Sequence, residues 1–176
     1  AWLHVQAGFL DEGAGPLMQP IPYGVMPRLA LAWISTYSLR HNTREIPLGD
    51  SPREFLRRLG LGDQGHRYKM LRRQIHALAA CRLQLGLSGR TFNGQPVEQF
   101  DAWVQSGKDY RQRTLWPGLM FLSESYAESL GVSGVPLDNR ALLGLTGSAL
   151  ALDIYVWLAH RLHRISGRPV VLHWAA

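Results

Sequence analysis

The sequence predicts an α+β fold: a mostly helical winged helix-turn-helix domain with a small antiparallel hairpin, followed by the start of a second winged-helix unit. Three observations carry this. A basic amphipathic helix within Gln64–Leu87 runs directly into a strand, a shorter and strongly capped helix stands in front of it, and a long apolar helix lies near the end. The domains expected are an irregular lead-in over 1–23, a winged-helix domain over 23–133 with a long wing at 88–113, and a linker helix, long helix and strand over 134–176 that lead into a truncated second unit.

Taken in order, the lead-in DEGAGPLMQPIPYG is rich in Gly and Pro and shows no periodicity. From Gly24 to about Arg40 the chain is apolar nearly all round, with Leu29, Leu31, Trp33 and Ile34, and Pro27 sits where a first helical turn tolerates it. Thr43–Gly49 can make only a short edge strand, because Pro47 has no N–H to donate. Ser51-Pro52-Arg53-Glu54 is a capping box, with Phe55, Leu56 and Leu59 on the buried side of the helix it starts. Gly60-Leu61-Gly62-Asp63 turns the chain into the basic helix.

At about 100° per residue, Lys69, Arg72, Arg73 and His76 share one sector of that helix, opposite Leu71, Ile75 and Leu78. After Cys81 the pattern changes to a period of two, Arg82-Leu83-Gln84-Leu85-Gly86-Leu87, which reads as a strand. Ser88-Gly89-Arg90 turns the chain, and a return strand is expected only at Thr114–Leu122. Phe100 and Trp103 suggest a short amphipathic piece in between. Ser123 or Ser125 can cap a helix to Leu130, Asp138 a turn of helix to Leu143, and Gly147-Ser148 introduces a helix over 149–165. Leu150, Ile154, Trp157, Leu158 and Ile165 form one apolar face of that last helix, while Leu152 and Val156 lie on another; a second copy of the chain, or a continuation of it, is expected to cover Leu152 and Val156. Val170–Trp174 begins a strand.

The net charge of +6 is concentrated. Residues 1–23 carry only Asp11 and Glu12, residues 24–90 carry twelve Lys/Arg against four acids, and residues 91–176 are balanced. A positive field gathered around the basic helix favours a polyanion. In a winged helix-turn-helix the second helix enters a major groove, so Lys69, Arg72, Arg73 and His76 are the expected groove contacts with double-stranded DNA. Arg53 and Arg57 would hold phosphates, and Arg90, Arg111 and Arg113 would serve the wing. A surface helix whose arginines are merely solvated gives the same pattern.

Catalytic chemistry is not legible. Gly107-Lys108 is followed by Asp109 and preceded by Ala102 where a phosphate-cradling loop needs its first glycine, so no nucleotide cofactor is expected. His160 and His163 have no third ligand placed by sequence, Asp153 and His160 have no nucleophile, and the single Cys81 reads as a core thiol. No run approaches the ~18 apolar residues of a membrane span, and AWLHVQAGFLDEG lacks a leader pattern. A binding protein of the cytoplasm, associated with nucleoid or plasmid, is expected.

Several strings are shared with a known family: Pro22-Tyr23-Gly24 with Pro27-Arg28-Leu29, Ser51-Pro52-Arg53-Glu54-Phe55, Leu115-Trp116-Pro117, Leu122-Ser123-Glu124, and the run Ser148–Leu158 with its Leu-Asp-Ile-Tyr followed by Trp-Leu. Over about Tyr23 to Trp174 the chain resembles the plasmid-encoded RepA replication proteins. The resemblance implies a bacterial plasmid initiator built of winged-helix units, which binds double-stranded DNA at the origin and recruits host replication proteins without hydrolysing nucleotide. It also implies a second winged helix beyond the Trp174 position. In initiators of related design the first unit often dimerises while the second reads the repeats, so the helix at 66–80 makes phosphate contacts only, or none. Two other readings stay open: a winged-helix transcriptional regulator, and a dimerisation module without direct DNA contact.

Overall fold

A computed structural model describes residues 2–62, 65–101, 118–167 and 171. The expected irregular lead-in is ordered: β1 (Trp2–Gln6) is followed by the hairpin β2 (Phe9–Asp11) and β3 (Pro16–Met18). Asp11 closes that hairpin, its Oδ1 accepting from Gly13 N at 2.7 Å and Gly15 N at 3.1 Å, a local side-chain turn of the kind Asp favours. Periodicity missed β1 because its partner is some 80 residues away in sequence.

Helix α1 (Val25–His41) ends where Asn42 takes the left-handed conformation, and β4 (Glu45–Gly49) follows. Ser51 caps α2 (Pro52–Arg58) by accepting from Glu54 N at 3.2 Å, while the Glu54 carboxylate reaches one residue past the cap to Asp50 N at 2.9 Å. Next come α3 (Gly65–Ala80), β5 (Arg82–Leu87), β6 (Arg90–Gly94), β7 (Val97–Phe100) and β8 (Gly118–Leu122). Three serine- or aspartate-capped helices complete the order: α4 (Glu124–Ser133), α5 (Asn139–Gly144) and α6 (Ala149–Arg164), started by Ser123, Asp138 and Ser148.

All strand pairs are antiparallel, in sheets ordered β1-β5-β6, β2-β3 and β4-β8-β7. β4 is an edge strand, as Pro47 requires. The chain returns against β5 at Arg90 rather than at Thr114, because Ser88 and Gly89 both take positive φ (49° and 80°). That pair of angles makes the two-residue turn whose twist matches a hairpin, and glycine accepts it without strain. β8 pairs instead with β4 and β7. Trp103, Thr114 and residues 172–174, where parts of the expected wing and last strand fall, lie outside the described residues.

One hydrophobic cluster joins Ile34 of α1, Ile46 and Leu48 of β4, Phe55 and Leu56 of α2, Leu71 and Ile75 of α3, and Met120 and Leu122 of β8. A second joins Leu29 of α1 to Leu142 of α5 and Leu152 of α6. The second corrects the expectation for α6 at Leu152, which the chain itself covers, while Val156 stays exposed. Leu152 is 1% exposed within the chain itself, whereas Leu150, Ile154, Trp157 and Leu158, the face that looked fit for a core, are on the surface. The reason is local: Arg28 on α1 holds Asp153 through a double hydrogen bond, at 2.6 Å to each oxygen, which turns the Leu152 side of α6 onto α1. No helix among the described residues is long and apolar enough to cross a membrane.

Candidate nucleic-acid interface

The two parts of α3 have different surroundings. Up to Arg73, the residues His66, Lys69, Met70 and Arg73 are exposed; after it, the five consecutive residues Gln74–Leu78 are all buried. The available sector is therefore turned about 60° around the helix axis from the one periodicity marked, at about 100° per residue.

The lead-in causes this. Gly8 sits so close to the end of α3 that a Cβ there would lie 2.0 Å from the Ala80 carbonyl oxygen, an approach open only to glycine. Farther along, Glu12 Oε1 meets His76 Nδ1 at 2.9 Å and accepts from Gln19 Nε2 at 3.0 Å, while its Oε2 accepts from Arg72 at 3.4 Å. Tyr23 N donates to Gln74 Oε1 at 2.7 Å. Residues 8–23 thus strap α3, although the sequence placed no partner there.

His76 accordingly leaves the expected groove face. It is 2% exposed and its ring meets the edge of Phe100 at 5.5 Å, so no base could reach it. Burial pushes its pKa below the ordinary 6.5, against the pull of Glu12, so the imidazole is neutral and donates from Nδ1 to the carboxylate. Burial alone would raise the Glu12 carboxyl, but the hydrogen bonds from His76 and Gln19 and the Arg72 charge together hold it below its usual value. Arg72 is half-buried and its charge is answered by Glu12. Lys69 and Arg73 are exposed as expected.

Among the remaining expected contacts, Arg53 and Arg57 are exposed on α2 and Arg90 is exposed at the β5–β6 turn. Arg58 on the same helix donates to the Pro47 carbonyl at 2.6 Å and to Glu54 at 2.8 Å. Arg111 and Arg113 lie outside the described residues. Cys81 is buried, with its thiol pushed up by that burial, which suits a core residue better than a nucleophile. No cluster of three metal-ligating side chains occurs among the described residues.

Two further features escaped the sequence reading. His66 and Met70 belong to the exposed sector of α3, which periodicity could not orient without its neighbours. Glu12 had one visible signal: Asp11 and Glu12 are the only charged residues of a lead-in that precedes a strongly basic segment.

The family model described as plasmid-encoded RepA protein matches residues 21–175. No curated protein and no solved structure matches the chain.

Proposed function

We propose, since the chain belongs to the plasmid-encoded RepA family, that this plasmid replication protein binds double-stranded origin DNA through a winged helix-turn-helix unit at about 23–133. The order helix α1, short strand β4, helices α2 and α3, then antiparallel strands supports that unit, as does the pairing of β4 with β8. The observation that carries the reading is the stretch of α3 up to Arg73, where His66, Lys69, Met70 and Arg73 stand outward while Leu71 and Ile75 anchor the helix. The N-terminal residues of a recognition helix are the ones that reach base edges. Arg53 and Arg57 of α2 take phosphates, and Arg90 serves the wing. The role is binding rather than catalysis and uses no cofactor.

The test is duplex DNA binding across a range of salt. Log affinity falls against log salt with a slope of ~0.9 per neutralised phosphate. Lys69→Ala with Arg73→Ala weakens binding without lowering the melting temperature, whereas Arg72→Ala lowers stability more than affinity because Arg72 serves Glu12. Affinity that is flat with salt, or a double variant that binds as well as the parent, refutes the groove role.

A second reading has its own support. Leu150, Ile154, Trp157 and Leu158 form an exposed apolar stripe on α6, and Leu3, Leu85 and Phe92 form an exposed row across the β1-β5-β6 sheet. A homodimer closed over one of these surfaces would give two-fold DNA binding. Sedimentation over a concentration range decides it, and host replication proteins are the other candidates for those surfaces.

A further inference from the structure

The geometry points to a phosphate-binding pocket between the start of α1 and the stretch of α3 from Arg67 to Gln74. A cavity of about 230 Å³ opens there, lined by Gly24, Val25 and Met26 of the α1 N-terminus and by Arg67, Met70 and Gln74, which follow one another along a single ridge of α3.

Three kinds of donor converge on it. α1 is 17 residues long, and its N-terminus has no side-chain cap and no acidic residue in the first turn, so the Val25 and Met26 N–H groups and the positive end of the helix are unanswered. Arg67 brings a guanidinium to the rim. On the wall stands Gln74, 1% exposed: its Oε1 is fixed by Tyr23 N at 2.7 Å, which leaves Nε2 as a buried donor with no partner among the described residues.

A buried amide donor without an acceptor is the exception in folded proteins and calls for an oxygen to receive it. Two carboxylates of the surrounding elements are already engaged, Asp153 by Arg28 on both oxygens and Glu12 by His76, Gln19 and Arg72, and neither bonds Gln74 Nε2. A phosphate oxygen can accept from Gln74 Nε2 while the others meet the helix N-terminus and Arg67. Met70 connects the pocket to the exposed sector of α3, so a backbone phosphate of a bound duplex is its ligand. Only this last step rests on the DNA reading.

Two measurements on the full chain separate the pocket from the DNA reading. In the first, inorganic phosphate is titrated at constant ionic strength against chloride while backbone and side-chain amide resonances are followed. Saturable shifts of the Val25 and Met26 amides and of the Gln74 side-chain amide are expected. They disappear in Gln74→Glu, which keeps the acceptor for Tyr23 N but replaces the donor with an acidic group, and weaken in Arg67→Gln, a change at the rim that leaves the fold alone. Absent shifts, or shifts that persist in both variants, overturn the pocket whether or not the chain binds DNA. In the second, the salt dependence of duplex binding is compared between the parent and Arg67→Gln. A slope smaller by ~0.9 is expected for one lost phosphate. An unchanged slope beside intact phosphate binding overturns the DNA backbone as the ligand and assigns the pocket to a free phosphate compound.

Discussion

Glu12 offers the sharpest test at the scale of single residues, because it is bonded to both His76 and Arg72. Glu12→Gln keeps the shape but removes the charge, and a charge-assisted hydrogen bond of this kind contributes ~1.5–3 kcal/mol, so a loss of about 1–3 kcal/mol is expected in denaturant unfolding. The pH dependence follows from the directions of the two shifts. His76 is held below 6.5 in the fold, so unfolded chains bind its proton first, and stability is complete above that value and declines as pH falls through the folded pKa. Glu12, held below 4.5, adds a second loss at still lower pH. Melting temperatures measured at about pH 7.5 and about pH 5.5 should therefore fall towards acid. In Glu12→Gln the fall steepens, since His76 loses the acid that favours its protonated form. The buried Leu71, Ile75 and Leu78 of α3 were legible from spacing, whereas the fate of His76 was not: a wheel shows which residues share a face but not that a carboxylate 64 positions earlier closes over one of them.

At the scale of elements, α6 shows the same division between pattern and placement. Its two apolar faces were visible from the sequence, but which of them meets the body is decided by the Arg28–Asp153 pair and by Leu29 and Leu142 opposite Leu152. Leu152→Ala should cost ~2–5 kcal/mol through the cavity it leaves, whereas Leu150→Ala, at a residue 67% exposed, should stay within ~0.5 kcal/mol in the monomer. Equal effects of the two in thermal unfolding would show that the outer face is covered after all. The β5–β6 hairpin is a second case. Alternation marks β5 and Ser88-Gly89-Arg90 marks the turn, but the strand that returns against β5 is Arg90–Gly94 and not Thr114–Leu122. Gly89→Val, which forces a branched side chain into positive φ, should cost ~1–2 kcal/mol and loosen the amides of β6 in hydrogen exchange.

For the molecule as a whole, the sequence correctly gave an α+β chain whose positive charge gathers around α2, α3 and the β5–β6 turn. What it concealed is that the lead-in is part of that body. Contacts between residues far apart in sequence leave no local signature, so a stretch held by β5 and α3 reads as irregular. Without residues 1–20, β5 loses its β1 neighbour and Glu12 leaves α3; the amides of Ile75–Leu78 should then exchange faster, while those of α2, which packs on α3 and β4, keep their protection. The strap also sets an order of events during synthesis. β1 is made before β5, the strand it pairs with some 80 residues later, and at about 5–20 residues per second that separation takes roughly 4–16 s to translate. For those seconds β1, with Trp2 and Leu3, has no strand to join, whereas Phe9 of β2 meets Met18 of β3 nine residues later, so a chaperone that shields apolar segments at the ribosome has an opportunity at β1.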